Sequence, residues 1–244
     1  PVKKDTGRPY MLPYLNVNAD VASSEVALAA RSPHGLISQI MRRVKNYLGI
    51  GNDVGFHPKL LQPPYKSYYE GYWQSEKYFI GLAAQLRQEF TLREPLGKTA
   101  KDMYEKISND PDSVSIFYRR SDYIGHPDFD IGEQDYQQRA LMRMNELLPS
   151  LNLYVMSDDI EWVKRNASLP VNSVFVSSSN ILAHEEMYLA SACRHHIIPN
   201  STFAWWSAWL NNRQNKIVIA PKIWSNKHND TWYRDITPSD WIRI

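Results

Sequence analysis

An apolar, strand-prone run, Val114-Ser115-Ile116-Phe117-Tyr118, leads straight into Arg119-Arg120-Ser121-Asp122-Tyr123. Two adjacent guanidinium groups form a forked receptor for a phosphate or a carboxylate. In an open α/β sheet, ligands bind outside the carboxyl ends of the strands, which is where such a pair would stand. The plainer alternative is a surface loop whose arginines pair with neighbouring carboxylates. A second run weighs between the two. His195-His196-Ile197-Ile198 continues through Pro199-Asn200-Ser201-Thr202-Phe203 into a helical pattern with Trp205, Trp206 and Trp209. A helix beginning at Ser201 or Thr202 presents unpaired backbone N–H groups and the positive end of its dipole. Alone, this start reads as an ordinary N-cap. On one rim with Arg119 and Arg120 it makes a site for a diphosphate.

Other polar positions have weaker claims. Ser157-Asp158-Asp159 reads as a strand end followed by a helix N-cap, and Ser177-Ser178-Ser179-Asn180 as a connecting loop. Glu186 lies on a helical stripe with Leu182, Leu189 and Cys193. It is either salt-bridged or reads the donor edge of a base or ribose, because a buried carboxylate needs a partner. His195 and His196 read as packing residues, Cys193 as a buried small residue, and the tryptophans as core or domain-interface packing. No glycine-rich dinucleotide or P-loop motif is present. No aspartate cluster is read as holding a divalent metal. The charge of a departing diphosphate would then fall to arginine and a helix dipole.

The elements that must position these groups follow from periodicity. Strands are expected at 114–118, 152–156, 173–177, 195–198 and 216–220, with helices near 133–148, 159–166, 182–193 and 202–211. Such alternation argues for an α/β, doubly wound parallel sheet. The first 110 residues carry more turn signals, including Gly49-Ile50-Gly51-Asn52 and Pro63-Pro64, with an aromatic run Tyr68-Tyr69-Glu70-Gly71-Tyr72-Trp73. A helical pattern runs from about Glu76 to Glu89, with Phe79, Ala83 and Leu86 at helical spacing. Ser108-Asn109-Asp110-Pro111-Asp112 is dense in turn formers and marks the expected boundary between domains 1–110 and 111–244.

Composition narrows the class. The 244 residues are 43% hydrophobic, with eight Trp and fifteen Tyr, which supports a substantial core. Lys plus Arg number 28 against 26 Asp plus Glu, so no nucleic-acid footprint is expected. Arg42-Arg43-Val44-Lys45 reads as one solvated helix face. The single cysteine excludes an intrachain disulfide. No apolar run reaches the length of a membrane span, and none reads as a signal peptide. The start at Pro1 is read as a piece of a longer protein.

Several motifs, in order, resemble the α-1,2-fucosyltransferases of glycosyltransferase family 11. They are Gly71-Tyr72-Trp73-Gln74-Ser75-Glu76-Lys77-Tyr78-Phe79, Arg119-Arg120-x-Asp122-Tyr123, and Ser157-Asp158-Asp159-Ile160-Glu161-Trp162-Val163. The run from Cys193 through Asn200-Ser201-Thr202-Phe203-Ala204-Trp205-Trp206 to Leu210, then Lys216–Lys222 and Trp241-Ile242, completes the likeness. It extends from about Asn52 onward. The resemblance implies a GT-B-like enzyme, its carboxyl-terminal Rossmann-like sheet packed on a smaller, truncated amino-terminal α/β domain. It implies an inverting, metal-independent transferase that moves L-fucose from GDP-β-L-fucose to the 2-hydroxyl of a terminal galactose. Arg119 and Arg120 would hold the diphosphate, Asn200, Ser201, Thr202 and Phe203 would form the facing helix start, and Glu186 would contact the guanosine. Asp122 or Asp128 would take the acceptor's proton, with Asp122 orienting the arginines as the other possibility.

The chain departs from the family pattern where Phe117 replaces a histidine, where Ser121 and Ser207 replace glycines, and in lacking the amino-terminal glycine-asparagine-glutamine loop. These departures leave three alternatives open: a transferase using another GDP-sugar, an inactive GDP-sugar-binding homologue, and an interaction protein that binds no nucleotide. Bacterial relatives imply a cytoplasmic or membrane-associated protein, and animal relatives a Golgi location.

Overall fold

The computed structural model describes residues 10–31, 56, 58–62, 73–227 and 233–244. Arg42-Arg43-Val44-Lys45, Gly49-Ile50-Gly51-Asn52, Pro63-Pro64 and residues 68–72 of the aromatic run lie outside the described residues. Helix α1 spans Ser24–Arg31, α2 Ala83–Glu89 and α3 Lys98–Ser108. Strands and helices then alternate as β1 (Ser113–Tyr118), α4 (Glu133–Leu147), β2 (Asn152–Ser157), α5 (Ile160–Asn166) and β3 (Val174–Phe175). The second half follows as α6 (Ala183–Ala192), β4 (His195–Ile197), α7 (Thr202–Leu210), β5 (Val218–Ala220) and β6 (Ile242–Arg243).

The six strands form one sheet in the order β3-β2-β1-β4-β5-β6, every neighbouring pair parallel. This is the Rossmann strand order, and the chain direction reverses between β1 and β4. All five expected strands are present, although β3 and β5 are shorter than their apolar runs. Strand β6 and helices α1 and α3 are additions to the expected elements. A two-residue edge strand such as β6 is too short to show a period.

Every residue of β1 is buried, as befits the centre of a sheet covered on both faces. Its side chains alternate between two cores. Val114, Ile116 and Tyr118 join Tyr136, Ala140 and Met144 of α4 and Val163 of α5. Phe117 joins the opposite core, with Ala100 and Ile107 of α3, Leu189 of α6 and Trp205 and Trp209 of α7. Ser115 lies on this second face and meets His196 of β4, with Oγ and Nδ1 2.8 Å apart. Asn211 Nδ2 donates to His196 Nε2 at 2.8 Å, which leaves Nδ1 to carry the proton. Burial drives this imidazole well below its usual pKa, so it is neutral, a packing residue as its sequence context indicates.

The helical pattern at 76–89 is broken into two 3-10 turns, Glu76–Tyr78 and Ile80–Leu82, before α2 begins. The break falls at Phe79, whose φ of −140° leaves helical geometry. Its ring stacks on Trp206 with centroids 5.3 Å apart and meets Trp209 edge-on at 5.2 Å. Tertiary packing of this aromatic nest overrides the local helical period. Trp205 and Trp209 are buried, in keeping with their reading as core.

Candidate active site

Parallel strands bring the loops after β1, β2, β3, β4 and β5 to one rim, and the loops after β1 and β4 flank the reversal. Tyr123 Oη donates to the Asn200 carbonyl at 3.1 Å, and Asn200 Nδ2 donates to the carbonyls of Phe129 (3.1 Å) and Trp224 (3.0 Å). The Asn226 side chain reaches the Asp130 carbonyl at 2.7 Å, while its N–H meets the Asp128 carbonyl at 2.7 Å. Three loops distant in sequence are thus bonded into one platform. Asp130 shapes its middle by accepting the N–H groups of Gly125 (2.9 Å) and Gly132 (3.3 Å), both at φ above 70°, where glycine is favoured. Asp128-Phe129-Asp130 is an Asp-x-Asp triplet, but one of its carboxylates is therefore occupied within the loop.

The two arginines have different surroundings. The β1–β2 register pairs Tyr118 with Ser157, so the next residues, Arg119 and Asp158, also come side by side. Arg119 forms ion pairs with both Asp158 and Asp122, and its guanidinium lies 5.3 Å from the Tyr123 ring. The other Asp158 oxygen accepts the Arg120 N–H at 2.8 Å. Asp158 is therefore an arginine partner, and only Asp159 is the N-cap, accepting the Trp162 N–H at 3.2 Å. Arg120 instead lies over the face of Trp162, its Cζ 3.2 Å from the ring centroid. Its Nε is 3.7 Å from Asp159 and makes no hydrogen bond among the described residues. Arg119 is built into two close ion pairs, whereas Arg120 has only the long pair to Asp159 and its side chain makes no hydrogen bond to another described residue.

Across the reversal, α7 begins at Thr202 with Ser201 as its N-cap residue. Ser201 makes no side-chain cap. The first helical bond is Trp205 N–H to the Ser201 carbonyl at 2.9 Å, so the N–H groups of Thr202, Phe203 and Ala204 have no acceptor within the helix. Of the four residues expected there, Asn200 uses its side-chain amide to tie the loops, and Phe203 sets its ring edge-on to Phe117 at 6.0 Å. Phe117 thus fills an apolar contact at the crevice where a histidine would offer polar atoms.

Glu186 is half-buried on α6, beside the Ser177 hydroxyl and close enough to Asp158 to feel its charge. Burial raises its carboxyl to about 7. Its neighbour Glu185, which the sequence reading passed over, is structural. It accepts the Leu182 N–H at 2.9 Å and the Gly97 N–H at 2.8 Å, binding the starts of α6 and α3 together. The polar run at the β3 end is more than a connector, since Ser177 Oγ accepts the Ser157 N–H at 2.8 Å. Asp128 is half-buried and makes no side-chain hydrogen bond or ion pair to another described residue, in contrast to Asp122. Among the described residues, no group of three or more His, Cys, Asp or Glu is arranged to hold a metal ion, and no helix is long and apolar enough to cross a membrane.

The family profile of glycosyl transferase family 11 matches residues 13–244. An α-1,2-colitosyltransferase of Escherichia coli is 33% identical over 184 residues, 71% of this chain and 61% of that protein. An O-antigen biosynthesis glycosyltransferase of the same species is 30% identical over 163 residues, covering 64% of this chain and 53% of its own length. A galactoside 2-α-L-fucosyltransferase of Bos taurus is 27% identical over 150 residues, 57% of this chain and 41% of that protein. The chain therefore spans less than two thirds of the length of these curated relatives. A profile that takes in the arginine strand end, the reversal point and the α7 start alike makes this chain a member of glycosyltransferase family 11.

Proposed function

We propose that this protein is a GDP-sugar glycosyltransferase that moves L-fucose, with inversion, to the 2-hydroxyl of a terminal galactose. The observation that carries the reading is that Arg120, whose side chain makes no hydrogen bond to another described residue, and the uncapped start of α7 stand on the two loops that flank the strand-order reversal. Positive charge from two sides of one crevice suits a diphosphate leaving group. The names of the relatives support the 2-linkage and a 6-deoxy sugar.

In the proposed step the acceptor oxygen bonds to the anomeric carbon from the face opposite the diphosphate. The bond from that carbon to the phosphate oxygen breaks, and its electron pair leaves with GDP. The acceptor's proton passes to a carboxylate. We assign that role to Asp128, because Asp122 is engaged with Arg119. Arginine and helix dipole would supply the charge stabilisation without a metal. The donor-side sheet would face an acceptor-side domain in a GT-B-like arrangement, with residues before about 110 contributing to it.

The test is calorimetry with GDP and GDP-fucose, with and without EDTA, followed by transfer to galactosides. Arg120→Ala is expected to weaken GDP at least ~10-fold, the scale of losing charge-assisted hydrogen bonds. Unchanged binding and turnover in that variant would sink the reading. A second reading, another GDP-sugar donor, is favoured by Phe117 at the crevice and by the colitosyltransferase relative. Competition between GDP-fucose and GDP-colitose separates the two.

A further inference from the structure

We propose that Trp162 is a positioning residue for the ligand-facing arginine, Arg120. The inference rests on the diphosphate reading of the crevice. An arginine that must bind an anion faces a conflict. A carboxylate partner would hold its guanidinium still, but would also occupy its N–H donors and offset its charge, as Asp158 and Asp122 do for Arg119. An aromatic face avoids that conflict. It attracts the cation through its quadrupole and leaves the in-plane N–H edge open. Arg120 is held chiefly in this second way, with Cζ 3.2 Å from the Trp162 centroid and its side chain only 12% exposed, while its one carboxylate pair, to Asp159, is long at 3.7 Å and makes no hydrogen bond.

The elements fix this arrangement from both ends. Asp158 accepts the Arg120 N–H and sets where the side chain leaves the backbone. Asp159 caps α5 through the Trp162 N–H and stands 3.7 Å from Arg120 Nε. Trp162 lies in the first turn of α5, so one short turn after β2 aims the arginine and supports it. Its role is indirect, since it acts through Arg120.

The experiment measures GDP and guanosine affinities for the parent, Trp162→Leu, Trp162→Phe, Arg120→Ala and the double variant Trp162→Leu/Arg120→Ala. Melting temperatures are recorded alongside. Loss of the ring in Trp162→Leu is expected to weaken GDP roughly three- to thirty-fold, the range of cation–π contacts. Guanosine affinity should be unchanged, Trp162→Phe should recover most of the loss, and the leucine substitution should add nothing once Arg120 is alanine. Unchanged GDP affinity in Trp162→Leu, equal weakening of guanosine, or additive effects in the double variant would each overturn the proposal. If Trp162→Leu fails to fold, Trp162→Met is read by the same criteria. Failure of the diphosphate reading looks different, because Arg120→Ala would then bind GDP like the parent.

Discussion

Ser177 Oγ accepts the Ser157 N–H at 2.8 Å, which ties the loop after β3 to the end of β2 at the carboxyl rim of the sheet. The same hydroxyl lies near enough to the Glu186 carboxyl to favour its charged form. In the proposed donor site, Glu186 would accept from the N–H edge of guanine.

This arrangement is expected to make GDP binding pH-dependent. Burial raises the Glu186 carboxyl to about 7; the Ser177 hydroxyl opposes the rise and the Asp158 charge adds to it. The folded group keeps a proton that the unfolded one has lost, so its contribution to stability is full below the ordinary value of 4.5 and is lost as pH rises through about 7. Only the ionised form accepts two donors from a base. GDP affinity is therefore expected to rise between about pH 6 and pH 8 in the parent, as expected from the linkage of binding and ionisation. In Glu186→Gln it should be weaker and flat, with a melting-temperature gain over the parent at the upper pH. Calorimetry and thermal melts at the two pH values check this.

Asp122 and Asp128 are separated by their partners. Asp122 orients Arg119, while Asp128 has no ion pair among the described residues. Asp128→Asn is expected to cut turnover by about 10²-fold or more, the usual scale for losing a general base, with GDP affinity unchanged. Asp122→Asn should instead weaken donor binding. Reversal of these two patterns in a kcat and Kd comparison would exchange the assignments.

Phe117→His tests the apolar substitution at the crevice. The change gives up the edge-on contact with Phe203 and puts a polar ring in a site only 5% exposed. The expected cost is about 1–3 kcal/mol of stability. Tighter GDP binding should accompany it, since an imidazole offers polar atoms beside the nucleotide. Weaker binding would mean that Phe117 itself belongs to the site. Denaturant melts and calorimetry give both numbers.

Lys216 closes the other end of α7. Its ammonium donates to the carbonyls of Ala208 (2.8 Å) and Asn211 (2.6 Å), where the helix dipole is negative. Burial lowers its pKa to about 8, with Arg87 adding to the fall and Asp240 and Glu76 opposing it. The unfolded ammonium keeps its proton to about 10.5, so charging Lys216 costs stability below about 8, and that cost is relieved as pH rises through this window. The stability difference between the parent and Lys216→Met should therefore move in the parent's favour from about pH 7 to about pH 9.5. A pH-independent difference in thermal melts would contradict this account.

Much of the site was legible because its signals are local. The apolar run before Arg119 forms β1 and delivers two guanidinium groups at its end. Ser201-Thr202 opens α7, and the alternation after residue 113 builds a parallel sheet, because each segment's period is set by its own side chains. Partner choice was not legible. Whether Asp158 or Asp159 caps α5, which arginine escapes close carboxylate pairs, and which of Glu185 and Glu186 faces the rim depend on which strands lie side by side. Phe79 breaking its helix among the tryptophans is a similar case, decided by residues more than a hundred positions away.

The amino-acid sequence by itself determined the chemistry available at each strand end and the α/β alternation that brings those ends to one rim. Only the tertiary structure decided that β1 lies against β4, which joins the Arg119-Arg120 loop to the Ser201 helix start through Tyr123 and Asn200. The physical reason is that helix caps and strand periods are short-range, fixed within a few residues. Lateral strand order and ion-pair partners are set by global burial and register, to which residues far apart in the chain contribute together.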